Sequence, residues 1–208
     1  IFSEILHYLL PVLEVCYISA YDEENHSGDL RHIYLRKGFH SGEIMLCFVT
    51  RVSIRKKLQN RLSEIQKHFP EIISITESVN PSKTNVILGK SVTVLYGQNF
   101  ITDTMCGRTI RISPQSFYQV NTEQAEKLYR IAESYSDLQK TELLLDLYCG
   151  AGTIGLSMAD SVKSLIGVEV IPEAIENAKS NAHLNHITNA EFHCGDAGTV
   201  AEMLLKNK

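Results

Sequence analysis

The sequence predicts an α/β protein in which residues 114–208 form half of a doubly wound parallel sheet behind a small α+β domain, residues 1–113. Three observations carry this reading. Strand-like and helix-like runs alternate from residue 142 to 194, a glycine-rich turn joins the first strand of that series to its first helix, and residues 30–112 hold strand-like runs with hairpin-length links around one amphipathic helix. With 208 residues, 44% of them hydrophobic, the chain has enough apolar surface to build a core.

Phe2, Ile5, Leu6, Leu9 and Leu13 recur at helical spacing, and Pro11 is read as the end of that helix. Residues 21–29, YDEENHSGD, are turn-rich and read as a loop. Runs 30–36 and 43–50 read as an antiparallel strand pair whose loop, 37–42, contains two glycines. From Ser53 the period changes: Ile54, Leu58, Leu62, Ile65 and Phe69 share one helical face until Pro70 stops it. Strands are then expected at 71–77 and, in shorter form, around 86–88, 91–96 and 109–112.

The composition shifts at Ser113-Pro114. Asn121 is an N-cap with Gln124 three residues on, and Ala125, Leu128, Tyr129 and Ala132 line the helix behind it. Strands 142–148, 164–170 and 190–194 then enclose helices 152–160 and 172–184. Pro172 suits a first helical turn, and Glu173 and Glu176 suit the positive end of its dipole.

Composition excludes some classes. The longest apolar runs fall far short of the roughly 20 residues that span a bilayer, and no signal-peptide pattern opens the chain, so it is read as cytoplasmic and without a membrane partner. Five scattered cysteines suggest neither a disulfide framework nor a metal site. The net charge of −4 hides an asymmetry: residues 31–61 carry eight Lys/Arg against the single acid Glu43, whereas residues 120–208 carry seven against thirteen acids. A basic half beside an acidic one points to a polyanion on one side only. Arg31, His32, Arg36, Lys37 and Lys83 are the candidates for phosphate contacts, while Arg55, Lys56 and Lys57 read as the wet face of a helix. Starting at Ile1 inside a helical pattern and stopping soon after a third strand, the sequence reads as a piece of something longer.

The turn Gly150-Ala151-Gly152-Thr153-Ile154-Gly155 satisfies G-x-G-x-x-G, and Glu169 follows Gly150 by 19 residues at the end of the next strand. Glycines let backbone approach a ligand, and a carboxylate accepts from both hydroxyls of a ribose. The bland alternative is a tight turn beside a solvated acid. NAD and S-adenosylmethionine both carry an adenosine that suits such a site. Asp146, at the end of the first strand, would oppose a pyrophosphate but attract the cationic methionine end of S-adenosylmethionine, so charge favours the methyl donor over a nicotinamide oxidoreductase.

Arg111-Ile112-Ser113-Pro114-Gln115-Ser116-Phe117-Tyr118-Gln119-Val120-Asn121, together with Asp146-Leu147-Tyr148-Cys149-Gly150-Ala151-Gly152-Thr153 and Gly167-Val168-Glu169, resembles the RNA uracil-5-methyltransferases, the group that includes bacterial 23S rRNA (uracil-5-)-methyltransferases and a related tRNA enzyme. The resemblance extends back through Lys37-Gly38-Phe39-His40-Ser41-Gly42 and Asn85-Val86-Ile87-Leu88-Gly89. It implies a truncated Rossmann-like S-adenosylmethionine-dependent methyltransferase domain preceded by a small α+β central domain. Gln119, Tyr148, Asp146, Gly150, Gly152, Thr153, Glu169 and Asp196 are then the donor-binding positions, and 23S ribosomal RNA is the expected partner. A tRNA enzyme and a noncatalytic RNA-binding module are the alternatives.

The sequence also departs from that family. The cysteine that adds to C6 of uracil, the base that removes the C5 proton, and a D-P-P-R-like segment all lie beyond the third strand in the family and have no counterpart here. Neither the RNA-binding barrel nor the cysteine cluster of iron-sulfur members is encoded. Cys149 belongs to the donor turn, so no catalytic residue is assigned and the chain is expected to be inactive alone, with weak donor affinity. Strand 142–148 is expected to be an apolar edge through which copies associate.

Overall fold

The structure, a computed structural model, describes residues 1–206 and divides into two compact units, one of residues 1–38 and 42–101, the other of 39–41 and the described residues from 102 on.

In the first unit, helix α1 (Phe2–Val15) precedes strands β1 (Leu30–Lys37) and β2 (Ile44–Thr50), short helices α2 (Arg55–Leu58) and α3 (Leu62–His68), and strands β3 (Ile72–Val79) and β4 (Val92–Gly97). The sheet runs β1-β2-β3-β4, with β1 and β4 antiparallel to their neighbours and β2 parallel to β3. A parallel pair needs a crossover, and the α2–α3 segment supplies it. Glu77, 2% exposed, fixes the start of that crossover by accepting from Thr50 Oγ1 (3.1 Å), Ser53 Oγ (2.8 Å) and the Ile54 N–H (2.7 Å). Ile5, Leu9 and Leu13 of α1 pack with Leu46 and Phe48 of β2, Ile65 of α3 and Ile75 of β3 in one core.

Three expectations are corrected here. Pro11 lies inside α1, which continues to Val15 because Leu13 and Ile18 reach the core and the chain closes with bonds such as Ile18 N–H to Leu13 O at 3.0 Å. Burying those side chains outweighs the lost helical bond. The helix expected from 53 to 69 breaks into α2 and α3 at residues 59–61, where the Arg61 N–H turns back to the Leu58 carbonyl at 2.9 Å, a tighter bond than the helical one. No strand forms at 86–88, because the Asn80 amide donates to the carbonyls of Val86 (2.7 Å) and Ile87 (3.3 Å) and holds them in a loop.

The second unit opens with a hairpin that the sequence reading found only in part, β5 (Ile101–Met105) and β6 (Arg108–Ile112), turned by Cys106 and Gly107 at φ of 50° and 78°. Helix α4 (Thr122–Ser136) is capped as expected, Asn121 accepting from the Gln124 N–H at 3.3 Å. Strand β7 (Leu143–Leu147), helix α5 (Thr153–Ser157), strand β8 (Ser164–Glu169), helix α6 (Pro172–Leu184), strand β9 (Ala190–Cys194) and helix α7 (Ala197–Lys206) follow. The three strands are parallel in the order β7-β8-β9. On one face Leu144, Leu165 and Phe192 pack with Leu156 of α5 and Ala182 of α6; on the other, Ile166 and Val168 pack under Ala197 and Val200 of α7.

That second face is covered only in part. Leu143, Leu145 and Leu147 alternate on β7 and are 42%, 39% and 40% exposed. The apolar edge expected at 142–148 is therefore present, as an edge strand with three open leucines. Among the described residues, no helix is long and apolar enough to cross a membrane.

Candidate functional site

The glycine turn is built by backbone geometry first. Tyr148, Gly150 and Gly152 all adopt positive φ, at 62°, 55° and 80°. Tyr148 has a Cβ and so carries strain, a state that persists where the surroundings over-determine it. The turn is closed by the Cys149 N–H to Val168 O at 3.0 Å and the Gly152 N–H to Cys149 O at 2.8 Å. A Cβ added at Gly150 would meet nothing within 4 Å, whereas one at Gly155 would lie 2.8 Å from Leu165 Cδ1 and 2.9 Å from Asp146 Oδ2. Gly150 thus faces open space, and Gly155 is a close-approach position.

Two carboxylates brace the turn from its ends. Asp146 Oδ2 accepts from the Gly155 N–H at 2.9 Å, satisfying a first-turn donor of α5 that its own N-cap, Gly152, leaves bare. Burial pushes the Asp146 carboxyl above its ordinary range, with the Gly155 N–H opposing. Glu169 accepts from the N–H groups of Val170 (2.8 Å), Ile171 (3.0 Å) and Gly150 (3.2 Å), tying the end of β8 to the turn. Its two oxygens offer about four acceptor positions, so three bonds leave room for another. Val170 and Ile171 beside it are exposed, as is the Tyr148 side chain.

Gln119 is half-buried and Thr153 lies in the first turn of α5. Asp196 caps α7: its Oδ1 accepts from the Thr199 N–H at 3.0 Å and hydroxyl at 3.1 Å, which hold its carboxyl below the ordinary value. The Cys149 thiol is buried and pushed up to about 12, by burial first and then by Asp146 and Glu169. A thiol raised in this way holds its proton at neutral pH.

Residues the sequence reading missed hold the segment that carries Gln119. Asp103, 1% exposed, accepts from the Tyr118 hydroxyl and from three successive backbone N–H groups of residues 39–41. Ser113 and Ser116 share a 2.8 Å hydroxyl bond, and Asn177 of α6 donates to both, at 3.3 and 2.9 Å. Asn177 and Asn181 of α6 and Asn185 at its C-cap recur every four residues, and three weak helix formers on one stripe were the available signal.

The basic candidates lie in the first unit. Arg31 spends its guanidinium on the carbonyls of Asn80 (2.9 Å), Ser82 (2.7 Å) and Thr84 (2.9 Å), with the Tyr21 ring 4.7 Å from its carbon. It organises the 80–91 loop, and with Lys83, Tyr21 and Asn85 it lines a hollow of about 150 Å³. His32, Lys37 and Lys83 are exposed, and Arg36 is half-buried over the Tyr34 ring at 5.5 Å. Lys57 is engaged by Asp29 Oδ2 at 2.7 Å.

A parallel β-α-β-α-β series with a glycine turn braced by strand-end carboxylates defines the Rossmann-like fold of S-adenosylmethionine-dependent methyltransferases, and residues 138–208 match the Methyltransferase domain family. Within that class the chain is homologous to RNA methyltransferases over most of its length. It is 42% identical over 198 residues to a protein of Oceanobacillus iheyensis named an uncharacterized RNA methyltransferase, covering 95% of this chain and 43% of the relative. A Bacillus cereus protein of the same name is 48% identical over 183 residues, covering 88% and 40%. The solved Pyrococcus abyssi tRNA (uracil-54, C5)-methyltransferase in complex with S-adenosyl-L-homocysteine superposes with a TM-score of 0.73 at 30% identity, covering 90% of this chain and 45% of that one. The resemblance to RNA uracil-5-methyltransferases stands, and the chain spans less than half the length of these relatives.

Proposed function

We propose that this chain is the central domain and donor-binding half of an S-adenosylmethionine-dependent RNA methyltransferase that acts on C5 of uracil. The observation that carries the reading is the glycine turn itself, open at Gly150 and held at both ends by Asp146 and Glu169. The residues fit the donor. Glu169 has acceptor capacity for a ribose hydroxyl, the exposed Val170 and Ile171 offer apolar contact for a flat base, and Asp146 sets a negative charge near the cationic end. Gly150, Gly152 and Thr153 line the turn, Tyr148 precedes it, Gln119 is assigned a donor contact from the segment before α4, and Asp196 stands at the end of β9 with one oxygen committed to its helix.

When bound, the donor supplies the electrophilic methyl group. This chain's residues bind and orient it; the cysteine that attacks uracil and the base that removes its proton are assigned to no residue here, so turnover by this chain alone is not expected. The substrate we favour is 23S ribosomal RNA, positioned through Lys83, Lys37, His32 and Arg36 on a loop and strand that Arg31 orders. The similarity to a tRNA enzyme keeps transfer RNA as the second reading. The open leucines of β7 support association of copies through that edge, which light scattering would detect and Leu145→Glu would abolish.

Calorimetric titration tests the donor reading. S-adenosylhomocysteine is expected to bind weakly and NAD not at all; the reverse order would make the turn a dinucleotide site. Transfer of a radiolabelled methyl to ribosomal or transfer RNA by this chain alone would overturn the assignment of catalysis elsewhere.

A further inference from the structure

We infer that Asn181 is a positioning residue for the donor pocket, setting the distance between the segment that leads to Gln119 and the turn that carries Gly150 to Thr153; this rests on the donor reading of that turn. Asn181 in α6 and Asn185 at its C-cap bond backbone as a strand would, and Asn177 one turn earlier bonds hydroxyls. Asn185 accepts from the Thr109 N–H at 2.9 Å and donates to the Thr109 carbonyl at 2.7 Å. Asn181 Oδ1 accepts from the Arg111 N–H at 2.8 Å, and Asn177 reaches Ser113 and Ser116. Four helical residues rise about 6 Å and two strand residues about 6.7 Å, so an every-fourth helical stripe keeps step with alternate residues along β6 and its continuation.

Only Asn181 among these three also touches the glycine turn. Its Nδ2 donates to the carbonyl of Ala151 at 3.0 Å, between Gly150 and Gly152, and the side chain is 0% exposed. One primary amide thus joins two backbones, accepting from one and donating to the other. No ionised side chain can do both, and an apolar one does neither. Removing the amide's bonds to the Arg111 N–H and the Ala151 carbonyl lets each segment relax separately, which displaces the two walls of the pocket without removing any group that touches the donor.

The test compares Asn181→Ala, Asn181→Asp and Asn185→Ala in the 208-residue chain, by S-adenosylhomocysteine titration and amide hydrogen exchange. Asn185→Ala is expected to lower the unfolding temperature while changing the dissociation constant by less than about twofold, and Asn181→Ala to raise it about tenfold. In Asn181→Ala the amides of Arg111 and Gly152 should both exchange faster. Asn181→Asp is expected to bind as poorly as the alanine variant near about pH 8, where the carboxylate cannot donate, and to recover toward wild-type affinity near about pH 5, where burial favours the acid and its O–H replaces the lost donor. A stability role alone predicts no such recovery. Equal weakening by Asn185→Ala and Asn181→Ala, or no recovery of Asn181→Asp in acid, would overturn the inference. Wild-type chain that fails to bind S-adenosylhomocysteine overturns the donor reading instead, and the exchange of Arg111 and Gly152 then decides whether Asn181 couples the two segments.

Discussion

The Tyr118 hydroxyl donates to Asp103 Oδ2 at 3.0 Å, and the same carboxylate takes the N–H groups of Phe39 (2.9 Å), His40 (2.8 Å) and Ser41 (3.2 Å). Tyr118 is next to Gln119, so a buried carboxylate fixes the segment that leads to Gln119. Burial and the neighbouring Asp103 push the phenol far above its ordinary value. Asp103→Ala strands a buried hydroxyl and removes the partner of three backbone donors, and a loss of about 2–4 kcal/mol is expected in urea denaturation. Tyr118→Phe leaves the carboxylate with those three donors and should cost about 1.5 kcal/mol. Equal costs would mean that the loop donors do not depend on Asp103.

Asp146 carries opposite consequences for stability and for binding. Its folded-state pKa is raised, so the native protein holds that proton more tightly than the unfolded chain does. Its contribution is therefore full below the ordinary carboxylate range and is lost as pH rises through the raised value. Asp146→Asn keeps an acceptor for the Gly155 N–H while removing a half-buried charge. The variant should unfold at a higher temperature than wild type at neutral pH, with the gap closing in acid. Its affinity for S-adenosylmethionine should fall by about fivefold or more, since a partly screened charge pair is worth about 1 kcal/mol. Thermal melts at several pH values and one titration check both halves.

Arg31 links fold and RNA reading. Three carbonyls of the 80–91 loop depend on it, so Arg31→Ala is expected to raise hydrogen exchange across that loop and to weaken RNA binding through disorder. Lys83→Ala should leave exchange unchanged, weaken RNA binding alike for all sequences, and lower the slope of log affinity against log salt by about one. Filter binding across a salt series separates the two. A salt slope unchanged by Lys83→Ala would remove that lysine from the interface.

The parts legible in the sequence are those whose causes are local. Asn121 caps α4 from three residues away, Pro172 starts α6, and the glycine turn declares itself through residues that need positive φ. What escaped has causes remote in sequence. Nothing near Val86 says that Asn80 will take its carbonyl, and nothing near Pro11 says that Leu13 will find a core to repay the broken helix. Strand β3 sits parallel to β2 because a crossover of two short helices returns the chain, and a run of isoleucines does not encode direction. At the site, Gly150 and Glu169 were readable from spacing, while Asp103 and Asn181 act through partners 62 to 64 and 30 to 70 residues away. Buried polar residues of that kind look, in sequence, like any Asp in a strand or Asn in a helix.

The two glycines at the ends of the turn should fail in different ways. Gly150 sits at φ 55° with open space where a Cβ would go. Gly150→Ala therefore costs only the left-handed backbone penalty, about 1–2 kcal/mol, but places a methyl group on the open side of the turn, where the proposed function puts the donor. Gly155 is helical, and Gly155→Ala gains about 1 kcal/mol of helix propensity. Its new methyl, however, meets Leu165, itself 1% exposed, and Asp146 Oδ2 at distances under 3.0 Å. Overpacking of this kind costs about 1–3 kcal/mol, so the net effect is a loss of stability with Asp146 pushed off the Gly155 N–H. Unfolding should show losses of similar size, about 1–2 kcal/mol, and titration should separate the variants, with Gly150→Ala much the weaker binder. If Gly150→Ala bound S-adenosylhomocysteine as wild type does, the open side of the turn would not be the side that receives the donor.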